Sequence, residues 1–212
     1  MPTKKPAAVT KSSPLDNTVN LEYKITNEPI LDKRYRRLPR QVKEAFQRLH
    51  TLAQTQPRTA IPELEQWIAK YPDLPMLYNY LGAAYTQAGQ YKQAEQTILE
   101  NYRRHPNYLF ARLNYAELCM ARGDYRKVAE ILDHKFDLKL LYPERSLFHI
   151  TEFTGFMWVV GEYLIGIGER AAAQQVYETL RQVAPADAAT RRLRAALRAT
   201  PLQRVVKSLL KK

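Results

Sequence analysis

Two segments of this chain repeat the same pattern at a fixed step. Gly89 is followed 34 residues later by Gly123, and Tyr91 by Tyr125, so that "AGQYKQAEQTIL" aligns with "RGDYRKVAEILD". A recurrence of this length marks a stack of supersecondary units. Each unit is too small to bury its apolar face alone, and the core forms between neighbours. No feature of the composition restricts the fold as tightly.

The unit is legible in residues 78–106. Tyr78, Leu81, Gly82 and Tyr85 are three or four residues apart, which places them on one face of a helix. Ala94 and Ile98 do the same for a second helix. Gly82 and Ala94 are small enough to let two helices approach closely. Gly89 suits the left-handed residue that ends a helix, and Pro106 cannot continue one.

Equivalent positions recur along the chain. The next unit places Tyr115 and Ala116 at the Leu-Gly positions, then Cys119, Val128 and Leu132. After an insertion of roughly eleven residues near 133–146, Met157, Val160, Gly161 and Leu164 lead to Gly168, Ala173, Tyr177 and Pro185. Upstream, Phe46, Leu49 and Ala53 form a compressed first helix, and Ala60, Leu64 and Pro72 a second. This pattern resembles the tetratricopeptide repeat over residues 40–187, in about four units of which the first is degenerate. The implied fold is all-α, a solenoid of helical hairpins closed by a C-terminal capping helix region. About eight antiparallel helices are expected, with turns at Gly89, Gly123 and Gly168.

In proteins of this superfamily the first helices of successive hairpins line a concave groove that takes a peptide or a partner helix. Helix periodicity then nominates Met76, Asn79, Ala83 and Thr86 from one unit, and Phe110, Leu113, Asn114, Glu117 and Met120 from the next. Trp158, Glu162 and Ile165 follow from the last. Some relatives clamp a C-terminal carboxylate with lysine, arginine and asparagine. Asn79 and Asn114 match that pattern, but no lysines accompany them and Glu117 and Glu162 stand opposite, which favours an apolar or basic guest. A plainer role for Phe110, Leu113 and Trp158 is packing against the insertion.

Charge separates the ends from the middle. The net charge is +12, carried as +5 in residues 1–40 and +7 in residues 187–212, with sixteen residues of each sign between. Such termini suit nucleic acid, an anionic surface or an acidic protein, and equally suit solubility alone. Arg191, Arg194 and Arg198 form one face of "DAATRRLRAALRA" opposite Leu193 and Leu197. After Pro201, Arg204, Lys207 and Lys211 border a second apolar stripe. That stripe suggests capping, a partner or a membrane surface.

Chemistry-bearing patterns are absent. His50, His105, His134 and His149 share no ligand spacing with another His, Cys or carboxylate, and no Gly-rich phosphate loop occurs. Glu63 and Glu65 read as solvated helix charges. The lone Cys119 fills a core position. No enzyme, metal or cofactor is expected. The first twenty residues lack an apolar signal core, and "FTGFMWVVGEYLIGIG" is too short and carries Glu162, so neither secretion nor a membrane span is expected and the chain reads as cytoplasmic. Residues 1–39 read as a basic tail, disordered at first, in which "LEYKI" alternates as a short extended segment able to dock on the repeats. The reading is a protein-binding scaffold or adaptor, with an RNA- or ribosome-associated factor as the alternative. The partner and the oligomeric state are left open.

Overall fold

The computed structural model describes residues 23–30 and 33–199. It is all-helical apart from one small sheet. A short strand β1 (Lys24–Thr26) and one helical turn α1 (Lys33–Arg36) precede paired helices. These are α2 (Arg40–Thr55) with α3 (Pro57–Lys70), α4 (Pro75–Gln87) with α5 (Tyr91–Arg104), and α6 (Leu109–Ala121) with α7 (Tyr125–Ile131). The insertion supplies α8 (Leu138–Leu141) and β2 (Leu147–His149). Then come α9 (Ile150–Gly166), α10 (Arg170–Val183) and α11 (Ala188–Arg198). The helix expected after Pro201 lies outside the described residues.

The turns inside the hairpins repeat in detail. Gly89, Gly123 and Gly168 all have positive φ, at 78°, 76° and 92°. The residue after each glycine donates back five positions: Gln90 to Tyr85 O, Asp124 to Cys119 O and Glu169 to Leu164 O, at 2.8–2.9 Å. This is the paired-bond ending in which glycine satisfies the last carbonyls of a helix. The second helices also stop alike. Tyr71, His105 and Ala184 sit at φ near −135° and ψ near 60° (−133°/63°, −130°/58° and −140°/62°), each just before a proline. Proline excludes the helical conformation from the residue before it, so the same stop signal gives the same exit.

Two apolar clusters form the core. Phe46, Leu49, Ala53, Ala60, Leu64, Leu77 and Leu81 fill the first, between α2, α3 and α4. The second gathers Leu109, Leu113, Val128, Phe148, Phe153, Phe156 and Leu193 from α6 onward. Leu193 of α11 sits against Gly161 of α9, where an added Cβ would come within 2.6 Å of its Cδ2. Between the clusters lies buried polarity: Thr97, Asn101 and His105 of α5 and its cap. Ile98, aligned with the core, is only half-buried.

The third hairpin departs from the expected pattern. Its second helix α7 stops at Ile131, half the length of α5 and α10. Asp133 and His134 both take positive φ, 52° and 55°. Asp133 N donates to Glu130 O and His134 N to Ala129 O, so the glycine-type ending forms here without glycine. The buried Arg112 of α6 holds it in place. Its Nη1 donates to Ile131 O (2.6 Å) and to Asp133 Oδ2 (2.9 Å), and its Nε donates to Pro106 O (2.7 Å). The insertion then packs inward, burying Leu138, Leu141 and Phe148.

Strand rhythm is weak in the sequence, yet β1 and β2 pair in parallel, Lys24 with Leu147, Ile25 with Phe148 and Thr26 with His149. The alternation of "LEYKI" suggests an extended segment and its Lys24 and Ile25 lie in β1, but the partner β2 lies more than a hundred residues away, so no local pattern announces the pairing.

Candidate functional site

The proposed groove residues fall into two groups along the inner helices. Met76, Asn79 and Phe110 stand in the first turns of α4 and α6; Glu117 and Met120 stand in the last turns of α6. Leu113 is withdrawn from the surface, 4% exposed, with its Cδ1 facing Gly155 of α9. Ile165 is also buried. Ala83, Thr86 and Glu117 are exposed, and Met76, Asn79, Phe110, Asn114, Met120, Trp158 and Glu162 are half-buried.

Asn79 is the hub of an amide cluster. Its Oδ1 accepts from Asn101 Nδ2 (2.8 Å) and from Asn114 Nδ2 (3.2 Å), while its own Nδ2 donates to Tyr108 Oη (3.4 Å). Asn101 Nδ2 also reaches Pro75 O at 3.2 Å. The cluster ties α4, α5 and α6 together, so Asn79 and Asn114 spend hydrogen-bonding capacity on each other. Asn101, at 2% exposed, belongs to this site and was not among the residues nominated from periodicity. It aligns with Trp67 of the first hairpin and Leu180 of the last, so a buried amide stands where those units carry an apolar side chain.

At the other end Trp158 Nε1 donates to Glu117 Oε1 at 2.6 Å, and the Arg192 guanidinium lies 3.9 Å from the Trp158 ring centroid. Arg192 also approaches Glu117 at 3.7 Å. Trp158 thus meets α6 and α11. Glu117 already faces a cation of its own chain, which weakens its claim on a basic guest. Arg191, Arg194 and Arg198 are exposed on α11, and Arg191 donates to Ala186 O. Arg204, Lys207 and Lys211 lie outside the described residues.

The remaining singled-out residues have local roles. Glu63 takes a two-pronged contact from Arg48, which holds its carboxyl below the usual range, and Glu65 accepts from Tyr85 Oη. Cys119 is buried, and burial pushes its thiol up. His105 Nε2 lies 3.2 Å from Pro72 O, and His50 packs on Tyr80. Among the described residues no three His, Cys, Asp or Glu are placed to hold a metal, and no helix is long and apolar enough to cross a membrane.

Residues 23–30 pack against the rest of the chain. Tyr23 is 7% exposed and meets Phe148 edge-on at 5.0 Å. Ile25 packs on the second core cluster. Farther along, Pro29 and Ile30 line a cleft of about 340 Å³ with Tyr35, Phe46, His50, Met76, Tyr80 and Tyr108. Residues 23–30 therefore run from β2 toward α2 and α4. Apolar contact and strand pairing hold them.

No protein-family model, no curated protein and no solved structure matches this chain.

Proposed function

We propose that the chain is a non-enzymatic interaction scaffold of tetratricopeptide type, a short α-solenoid with α11 as its cap. It binds an extended peptide or a partner helix on the surface shared by α4, α6 and α9. The observation that carries this reading is the chain's own extended segment, residues 23–30, seated between β2 and the cleft beside Met76 and Tyr80. The identical turn geometry at Gly89, Gly123 and Gly168 adds support. Exposed Ala83 and Thr86, beside the amide cluster, leave surface for a guest.

Affinity capture with the full chain, with and without nuclease, tests the proposal alongside the variant Ala83→Arg. Ala83 is exposed, so arginine there blocks the surface without filling the core. A protein partner that survives nuclease and is lost from Ala83→Arg is the expected result. Loss of every partner on nuclease treatment, or full retention by Ala83→Arg, overturns it.

A nucleic-acid reading draws on exposed Arg194 and Arg198 of α11 and Arg36 and Arg37 beside α1. It requires binding to generic RNA that falls steeply between low and physiological salt as counterions are released.

A further inference from the structure

Residues 23–30 behave as a bound ligand that happens to be covalently attached. The receptor side is braced by its own side chains. Phe148 is fully buried, with Tyr23 edge-on to its ring and the Arg145 guanidinium 4.1 Å from its centroid. Arg145 in turn grips Glu152 through both nitrogens, at 2.9 and 2.7 Å. Glu152 Oε2 accepts from His149 N at 3.0 Å, and His149 Nδ1 accepts from Thr151 N at 3.2 Å, so both partners cap α9. With Nδ1 accepting, the ring proton lies on Nε2, which donates to Asn27 O at 3.2 Å. These bonds to the helix cap do not involve the segment's side chains, and a site preorganised in this way lowers the cost of rebinding.

The ligand side is slight. The paired strand is three residues long, and residues 27–30 are exposed. A two-stranded sheet this short is marginal by itself, so Tyr23 and Ile25 supply most of the hold. Tethering adds a high effective concentration to the affinity of these contacts.

Resting on the scaffold reading, we infer that the β2 edge and the adjoining cleft form a recognition site for an extended segment of a partner protein. That segment carries an aromatic residue two positions before an aliphatic one, runs parallel to β2, and ends in Pro-aliphatic. The chain's own residues 23–30 occupy this site in cis, and the partner displaces them. The spacing comes from the resident segment: Tyr23 and Ile25 point into the second core cluster, while Pro29 and Ile30 reach the cleft. Strand addition of this kind draws affinity from main-chain bonds and specificity from alternate side chains.

The probe is a fluorescein-labelled peptide of residues 20–31, "NLEYKITNEPIL". It is titrated against the full chain and against the full chain carrying Tyr23→Ala and Ile25→Ala, which loosens the resident segment and leaves the receptor intact. The opened chain is expected to bind at least about tenfold tighter, because cis occupancy lowers apparent affinity by the unoccupied fraction. The same peptide with both anchors changed to alanine is expected not to bind. Equal affinity for the two chains, or equal binding of the anchorless peptide, overturns the inference. Hydrogen exchange on the wild-type chain guards against a variant that misfolds. Lys24–Thr26 amides must exchange well before those of α4 and α9, and exchange together with the core makes the segment structural and ends the idea. Concentration-dependent dimers of the wild type that vanish in the opened variant would assign the site to a second copy of this chain instead. If capture yields an Ala83→Arg-sensitive partner while this peptide fails, the scaffold stands and the recognition motif falls.

Discussion

Replacing Arg112 with methionine should destabilise the protein more than any surface change, because this one guanidinium serves four acceptors. Nε meets Pro106 O, Nη1 meets Ile131 O and Asp133 Oδ2, and Nη2 meets Asn107 Oδ1 at 3.3 Å. Its side chain is 9% exposed, whereas that of Asp133 is 49% exposed. The aspartate left behind by the substitution is therefore still hydrated. The heavy cost of stranding a buried charge, about 3–5 kcal/mol, does not apply in full. What is lost is a charged donor to backbone carbonyls, worth about 1.5–3 kcal/mol per well-made bond before compensation by the methionine's packing. A net loss of about 2–4 kcal/mol follows. Urea unfolding followed by far-UV circular dichroism measures it as a lower midpoint at unchanged slope. Arg112→Lys should lose nearly as much, since an ammonium cannot span acceptors on both sides of the fork. Asp133→Asn should cost less than about 1 kcal/mol, as exposed pairs contribute little. If Asp133→Asn matches Arg112→Met, the ion pair and not carbonyl coordination holds the insertion, and the reasoning fails.

The glycines inside helices divide by what surrounds them. A Cβ at Gly82 would meet Ile98 Cγ1 at an ordinary 3.6 Å, so Gly82→Ala should be neutral or stabilising by up to about 1 kcal/mol, while Gly82→Leu should cost about 1–3 kcal/mol in thermal melts. A Cβ at Gly166 would lie 2.0 Å from Tyr125 Cε1, so Gly166→Ala should be strongly destabilising and recover partly on adding Tyr125→Ala. Burial pushes the Tyr142 and Tyr85 hydroxyls up to about 12, with the Glu65 carboxylate adding to the shift at Tyr85. The unfolded chain therefore releases these protons first, so stability should hold to about pH 10 and fall between pH 10 and 12; a melting temperature that stays level from pH 10 to pH 12 would contradict this. Cys119 should react slowly with a disulfide reagent in the folded chain and stoichiometrically in denaturant, because the buried thiol resists ionising.

The sequence alone determined what local rules govern. Three glycines had to end helices because only a residue free of a Cβ accepts positive φ at little cost. Prolines 72, 106 and 185 had to stop the second helices. The 3.6-residue spacing of Phe46, Leu49 and Ala53, or of Tyr78, Leu81 and Tyr85, fixed which helix face is buried. Only tertiary structure decided the rest. The insertion near 133–146 marked where the repeat breaks, but the side chain that holds the ending, Arg112 reaching Ile131 O nineteen residues away, was not legible in any local window. Asn79 and Leu113 share a groove-facing register by periodicity, yet one joins an amide cluster and the other the core, because neighbouring helices and not their own helix set those surroundings. The alternation of "LEYKI" marked residues 21–25 as extended, but the pairing partner β2 lies more than a hundred positions along the chain, and local sequence does not contain that partner.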